Sequence, residues 1–297
     1  MVRTRRSIEE EARVMLVSGP GTDRFLQDEG LSDQIEGDAI DQMLAWGCET
    51  ARRALVVGLE DRGRIALELA RRGVFVTVVE PDESLHEPVR AAAEAEHFMI
   101  RLNFYASDYM KREFASSGFD LAIFYSALSR YNEPLVVLKK AARELRAGGK
   151  VFARIRVRPA MGKIRGYVDP IFEKVSEKAV RVPGFVTVRD RIINAIERLP
   201  LVSRFVGLPD AGDMLEDLAG VFKIERVEKR HLLAPVVGWA GVQDVVPDAA
   251  RGLVRRAVPA VVKADRAMLR AAGDRLVASH LYVYGAKELG LGHTFRV

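Results

Sequence analysis

"ALVVGLEDRGRIALELARRG", residues 54–73, opens as a short apolar run, breaks at Gly58 and continues with apolar residues at helical spacing. Residues 54–57 have the length and composition of a buried strand, and Ile65, Leu67, Leu69 and Ala70 offer a packing face for a helix over 64–72. "VFVTVVE" (74–80) follows as a second buried strand, so the stretch reads as a βαβ unit. The alternation then continues. A helix is expected around "SLHEPVRAAAEAE" (84–96), with Pro88 tolerable only in its first turn, and a weaker strand near "LNFYASD" (102–108). "FDLAIFY" (119–125) is a strand, "EPLVVLKKAAREL" (133–145) a helix ended by the pair Gly148 and Gly149, and "KVFARIRV" (150–157) a further strand. Strands alternating with helices imply a doubly wound, Rossmann-like α/β sheet whose ligand sits at the carboxyl ends of the strands.

The loop at 58–63 has the spacing G-x-G-x-x-G with Glu60 in place of the middle glycine. In a dinucleotide fold that glycine lets a pyrophosphate approach the backbone. Glu60 adds bulk and charge there: at ~4 Å and an effective dielectric of ~20, like charges repel by ~4 kcal/mol, before Asp61 beside it is counted. Arg62 offsets part of that repulsion. A phosphate-rich cofactor is disfavoured, and one with an adenosine and a cationic amino-acid tail suffers less. S-adenosylmethionine fits that description. Glu80, at the end of the second strand, is placed to accept hydrogen bonds from both hydroxyls of a ribose, although a solvated strand-end acid would read the same way.

At 297 residues and 48% hydrophobic, the chain can bury a substantial core. No apolar run reaches the roughly 20 residues of a membrane span, and the basic start turns acidic where a signal peptide would become apolar, so a cytoplasmic protein is expected. Cys48 alone excludes an intrachain disulfide, and His86, His97, His231, His280 and His293 are too scattered in sequence to suggest a metal centre. A net charge of +5 could serve a polyanionic partner, but the charges are interspersed without a long basic block, which favours a mixed surface over a nucleic-acid footprint.

The chain divides into an N-terminal helical segment (1–50, with a helix at "GDAIDQMLAWGCETARR"), a Rossmann-like core (51–158), a helical insertion or lid (159–207) and the remainder of the core (208–297). That remainder has a helix at "GDMLEDLAG", a strand at "FKIERVEKR", a helical insertion at about 240–279 and a last strand at "HLYVYGA".

"VTVVEPDESL", "FDLAIFYSAL" and "LKKAARELRAGGKVFARI", in this order and spacing, resemble the class I S-adenosylmethionine-dependent methyltransferases of the small-molecule type. The likeness covers about 51–158 and resumes at "DMLEDLAGVFKIERVEKRHLL" and "DRAMLRAAGDRLVASHLYVYGAKE". It implies a seven-stranded sheet, mostly parallel with the last strand antiparallel. It implies that Gly58, Glu60, Asp61 and Gly63 lie under the methionine part of the cofactor, that Glu80 binds the ribose, and that Pro81 and Asp82 lie beside the adenosine. Asp108 takes the place of the acid that receives the adenine amino group, with Tyr109 next to the ring, and Tyr125 and Ser126 line the floor near the methyl. Packing for the tyrosines, and a turn cap for Asp108, are the plain alternatives.

Three departures stand out. The family's acid two positions before the first glycine is Val56 here, and the loop is longer without its central glycine. The histidine that many relatives carry after the fourth strand is also missing from "SALSRY". Methyl transfer from a sulfonium can proceed largely by positioning, so no catalytic residue is assigned; Tyr131, Asp169 and His231 are candidate bases by position only. In "ARIRVR", Arg154, Arg156 and Arg158 project from one strand face if the strand continues to 158, either as a wall for an acidic substrate or in salt bridges. "LLAPVVGWAGVQDVVP" suggests a lipophilic pocket, a core or a subunit interface. The leading expectation is methyl transfer to a small acidic or lipophilic molecule. The alternatives are a catalytically inactive scaffold of the same fold, a nicotinamide-dependent reductase or an RNA methyltransferase. Whether the chain forms a homo-oligomer is open.

Overall fold

The computed structural model describes residues 29–125, 127–157, 210–231, 248–272 and 280–288. The insertion expected at 159–207, Ser126, Arg158, Asp169 and the apolar stretch 232–247 lie outside them.

Helix α1 (Glu29–Cys48) precedes strand β1 (Arg53–Val57), helix α2 (Arg64–Arg71) and strand β2 (Phe75–Val79). Next come α3 (His86–Ala95), β3 (Leu102–Tyr105), β4 (Phe119–Phe124), α4 (Pro134–Glu144) and β5 (Leu145–Arg156). Then follow α5 (Ala211–Ala219), β6 (Lys223–Arg230), α6 (Asp248–Ala272) and β7 (His280–Ala286). Among the described residues the sheet has seven strands in the order β3-β2-β1-β4-β5-β7-β6. β1 to β5 pair in parallel, and β7 runs antiparallel to both neighbours. Among the described residues no helix is long and apolar enough to cross a membrane.

Each face of the sheet has its own core. On one, Leu31, Ile35, Ala39, Ile40 and Met43 of α1 and Ile65 and Leu69 of α2 pack on Val56, Val78, Ile123 and Phe152. On the other, Val137, Leu138 and Ala141 of α4 and Met214 and Leu218 of α5 pack on Leu55, Val57, Ala122 and Val151. This is why β1 reads as an unbroken apolar run: a parallel strand covered on both faces has no polar side. Full burial of one such Leu or Val contributes ~1.5–3 kcal/mol.

One local expectation needs correction. α4 does not run to the glycine pair; it stops at Glu144, and Leu145 is already extended (φ −74°, ψ 140°) and paired with Phe119. Residues 146–149 then bulge out before Lys150 pairs with Leu121, and Gly148, at φ +73°, makes the bulge. The glycines serve the strand entry, since a left-handed residue is cheap for glycine in a bulge as well as at a helix end.

The strand order reverses direction of growth between β1 and β4, so the loops after these two strands diverge and leave a crevice at their carboxyl ends. The candidate residues from four strand ends meet there.

Candidate functional site

β1 delivers the loop 58–63 and β2 delivers Glu80. Gly58 turns at φ +94° and its N–H donates to the Val79 carbonyl at 3.0 Å, which ties the loop to the neighbouring strand end. Leu59 is fully buried in the core below and anchors the loop's middle. Glu80 is 1% exposed, and its carboxylate faces the loop: Oε2 accepts from Leu59 N at 3.1 Å and Oε1 from Asp82 N at 3.0 Å.

Across the crevice, a turn of 3-10 helix after β4 (Ala127–Arg130) presents Arg130. Its Nη1 donates to Glu80 Oε1 at 2.9 Å and its Nη2 to Glu80 Oε2 at 2.7 Å, a two-pronged pair. The same Nη2 pairs with Glu60. Burial works against the charge on Arg130, but the hydrogen bonds to Glu80 and the field of both acids outweigh it and raise the guanidinium's pKa above its ordinary value. Glu60, the residue out of place in a glycine loop, is thus half of an acidic clamp on one arginine.

Asp61 has a different task. Its Oδ1 accepts from Gly63 N at 3.0 Å and its Oδ2 from Ile65 N at 2.9 Å, so it occupies the anion position at the start of α2. A phosphate group would find those amides taken. Burial pushes the Asp61 carboxyl up to about 6; the backbone amides pull against it, and Glu60 beside it adds to the rise. A carboxyl whose folded pKa lies above its unfolded value stabilises most below the unfolded value, and loses that contribution as pH rises through about 6. Asp61→Asn cannot titrate. The wild type should therefore lose about 1–2 kcal/mol relative to Asp61→Asn between pH 5 and pH 8, read by urea denaturation at each pH. A gap that stays constant with pH would mean that Asp61 is ionised throughout.

Asp108, just after β3, accepts from Met110 N at 3.0 Å and from the Tyr131 hydroxyl at 2.8 Å, so it caps the turn at Tyr109–Lys111 and still borders the crevice. Tyr131, a candidate base, is that donor, and burial raises its pKa far above the usual phenol range, with the charge of Asp108 adding to the rise. Pro81 and Asp82 lie exposed beside Glu80, with Asp82 accepting from Ser84 N at 3.0 Å. The tyrosines go elsewhere than expected. Tyr109 is fully buried between sheet and α4, its hydroxyl donating to Glu144 Oε2 at 2.5 Å and Lys140 standing 4.5 Å over its ring. Tyr125 lies in the opposite core, stacked on Phe152 at 6.0 Å. Each ring has an apolar slot to fill, which wins over a place in the crevice.

Arg154 also turns inward. It is 2% exposed, its Nη2 lies 3.1 Å from Glu36 Oε1 of α1, and its Nε donates to the Tyr282 hydroxyl at 3.1 Å. Glu36 also meets His231 Nε2 at 3.2 Å and accepts from the Tyr282 hydroxyl. Burial alone would raise the Glu36 carboxyl, but His231 and Arg154 reverse this and hold it well below the usual carboxylate range. Arg156, two residues on, is half-buried at the strand end, in register with His280. An open cleft of about 650 Å³ lies next to this cluster, lined by Asp38, Arg230, His231, Asp265 and Arg266, and it includes none of the loop 58–63, Glu80 or Asp108.

The crevice therefore gathers Gly58, Glu60, Asp61, Gly63, Glu80, Asp82 and Asp108, and adds Arg130, which the sequence reading passed over. A signal for it existed. Once strand four is set beside strand one, an arginine at the end of the turn that follows it faces two acids on adjacent strand ends.

Residues 55–153 match the family model for a methyltransferase domain. No curated protein matches the chain. Among solved structures, the [4+2]-cyclase SpnF is 17% identical with a TM-score of 0.52, over 94% of this chain and 100% of its own. A Bacillus halodurans protein assigned as a methyltransferase is 14% identical with a TM-score of 0.53, over 85% of this chain and 100% of its own. The YcgJ protein of Bacillus subtilis is 11% identical with a TM-score of 0.50, over 86% and 100%. At these identities the likeness is one of fold.

Proposed function

We propose that this chain, whose residues 55–153 match the model for a methyltransferase domain, is of the class I S-adenosylmethionine-dependent type, that the crevice binds the adenosyl part of S-adenosylmethionine and that a methyl group is passed to a small molecule. The observation that carries this is Glu80, a buried carboxylate at the end of β2 turned toward the loop after β1. Asp108 from the end of β3 supplies a second acceptor at the distance of one strand. Asp61 and Glu60 are compatible with a ligand that brings positive charge, and the filled amides of α2 argue against a pyrophosphate.

The donor set suits an adenosyl group in kind and place and departs from it in one respect: Arg130 already occupies Glu80. The bound group would supply an activated methyl on a sulfonium. The chain's part is to orient. Glu80 takes the ribose and Asp108 the base, which fixes the position of the sulfonium for in-line displacement by an acceptor. Arg154 is neutralised inside the protein by Glu36, which favours a lipophilic acceptor over an acidic one. A lone cysteine and the absence of a long apolar run support a cytoplasmic setting.

Calorimetric titration with S-adenosylhomocysteine tests the reading. The wild type should bind, and Glu80→Ala should bind at least ~tenfold more weakly, since a hydrogen bond to a charged acceptor contributes ~1.5–3 kcal/mol. Equal binding by the two proteins would remove Glu80 from the site. A second reading, a fold of this type that binds a small molecule without methyl transfer, is favoured by the arginine over Glu80 and has a parallel in a solved structure named for a cyclase. Methyl transfer from labelled donor to any acceptor in a small-molecule extract would dispose of it.

A further inference from the structure

We propose that Arg130 is a built-in stand-in for the ribose diol, so that an adenosyl ligand enters by displacing it; this rests on the reading of Glu80 as the ribose acceptor. A carboxylate offers about four lone-pair positions, and all four on Glu80 are in use. Oε1 takes Asp82 N and Arg130 Nη1; Oε2 takes Leu59 N and Arg130 Nη2. The two backbone donors belong to the ends of β2 and β1 and cannot leave without unfolding the crevice. The guanidinium can. It sends two parallel N–H bonds to the two oxygens, which is the bonding a cis-diol would make with two O–H groups.

Glu60 makes the exchange feasible. Arg130 pairs with it as well as with Glu80, and both Glu60 (18%) and Arg130 (23%) reach solvent while Glu80 does not. When a diol takes Glu80, the arginine keeps one carboxylate partner and swings outward on it. The guanidinium is never left bare, and Glu80 keeps a hydrogen-bond donor on each of the positions that the guanidinium leaves. This assigns a purpose to the residue that replaces the loop's middle glycine: Glu60 is where Arg130 parks. It also sets the ligand class, a nucleoside with an intact cis-diol and no phosphate.

The test uses the full chain in three forms, wild type, Arg130→Gln and Glu60→Gln, with folding checked by thermal melting. Calorimetry then measures S-adenosylhomocysteine and adenosine, the latter carrying the diol without the amino-acid charge. Arg130→Gln should bind both ligands at least ~tenfold more tightly than the wild type, because no competitor remains on Glu80. Glu60→Gln should bind adenosine several-fold more weakly, because the parking place is gone. Wild-type binding with Arg130→Gln equal or weaker overturns the displacement and leaves the Glu80 reading standing. No binding by either folded protein overturns both. If Arg130→Gln does not fold, Glu60→Gln decides: adenosine affinity equal to or above the wild type's refutes the proposal.

Discussion

Glu36→Gln should lower the stability of the folded chain by about 3–5 kcal/mol, the cost of leaving a buried charge without its partner. Glu36 is fully buried, and Arg154 beside it is 2% exposed, so no water can take over the guanidinium. A glutamine of the same shape keeps the packing and removes the charge. The pH dependence identifies the mechanism. The folded pKa of Glu36 is depressed, so its contribution is present above the unfolded carboxylate value of about 4.5 and lost as pH falls through the folded one. The gap between wild type and Glu36→Gln should hold from pH 8 to about pH 5 and close below it. Replacing both partners, Glu36→Met with Arg154→Met, should recover much of the loss, as apolar replacements of buried pairs commonly do. Urea denaturation with the slope monitored separates these outcomes. A Glu36→Gln protein within 1 kcal/mol of the wild type would mean that the cluster is not closed to water.

Gly63→Ala should cost about 2–5 kcal/mol, from two separate sources. Gly63 sits at φ +74°, where a side chain adds roughly 1–2 kcal/mol of backbone strain. A Cβ there would also stand 2.4 Å from Val89 Cγ2 and 2.9 Å from Cγ1, because α2 begins against the first turns of α3. Valine is stiff at χ1 and cannot rotate away, so the clash adds another ~1–3 kcal/mol. The double variant Gly63→Ala with Val89→Ala isolates the parts: removing the methyls should return the steric share and leave the strain. Full recovery in the double variant would show that the left-handed backbone is not a requirement at this position. Because the Gly63 amide bonds Asp61 at 3.0 Å and pulls its carboxyl down, weakening that bond in the single variant should steepen the pH dependence described for Asp61.

These two residues mark what was and was not legible in the chain. Residues 54–80 declare their strand, turn and helix because each step is local: an apolar run, a glycine, then apolar residues at helical spacing. The place of Glu80 follows from order along the chain, and the antiparallel last strand from the resemblance of the whole pattern to a known family. Arg130 and Glu36 do not. Arg130 acts on residues 50 and 70 positions earlier, and only the strand order puts them side by side. Glu36 carried a fainter sign, since it lies within the run of Leu31, Ile35, Ala39, Ile40 and Met43, where a carboxylate has no business unless something meets it. Its partners lie 118 to 246 positions away, beyond the reach of periodicity. Tyr109 and Tyr125 failed to appear at the crevice for the converse reason: a large ring goes where the core has room, and no pattern of neighbours announces the slot.

The position of β7 has a consequence for the order in which the protein can be completed during synthesis. It is the last described strand in sequence, yet it lies between β5 and β6. Until residues 280–286 have emerged from the ribosome, β6 has no neighbour in the sheet, Arg154 lacks the Tyr282 hydroxyl, and Glu36 lacks its hydroxyl donor. The nascent chain must wait with a charged strand, "KIERVEKR", and a half-made ion cluster in water, where both are soluble and neither invites aggregation. The polar character of that strand is what makes late closure safe.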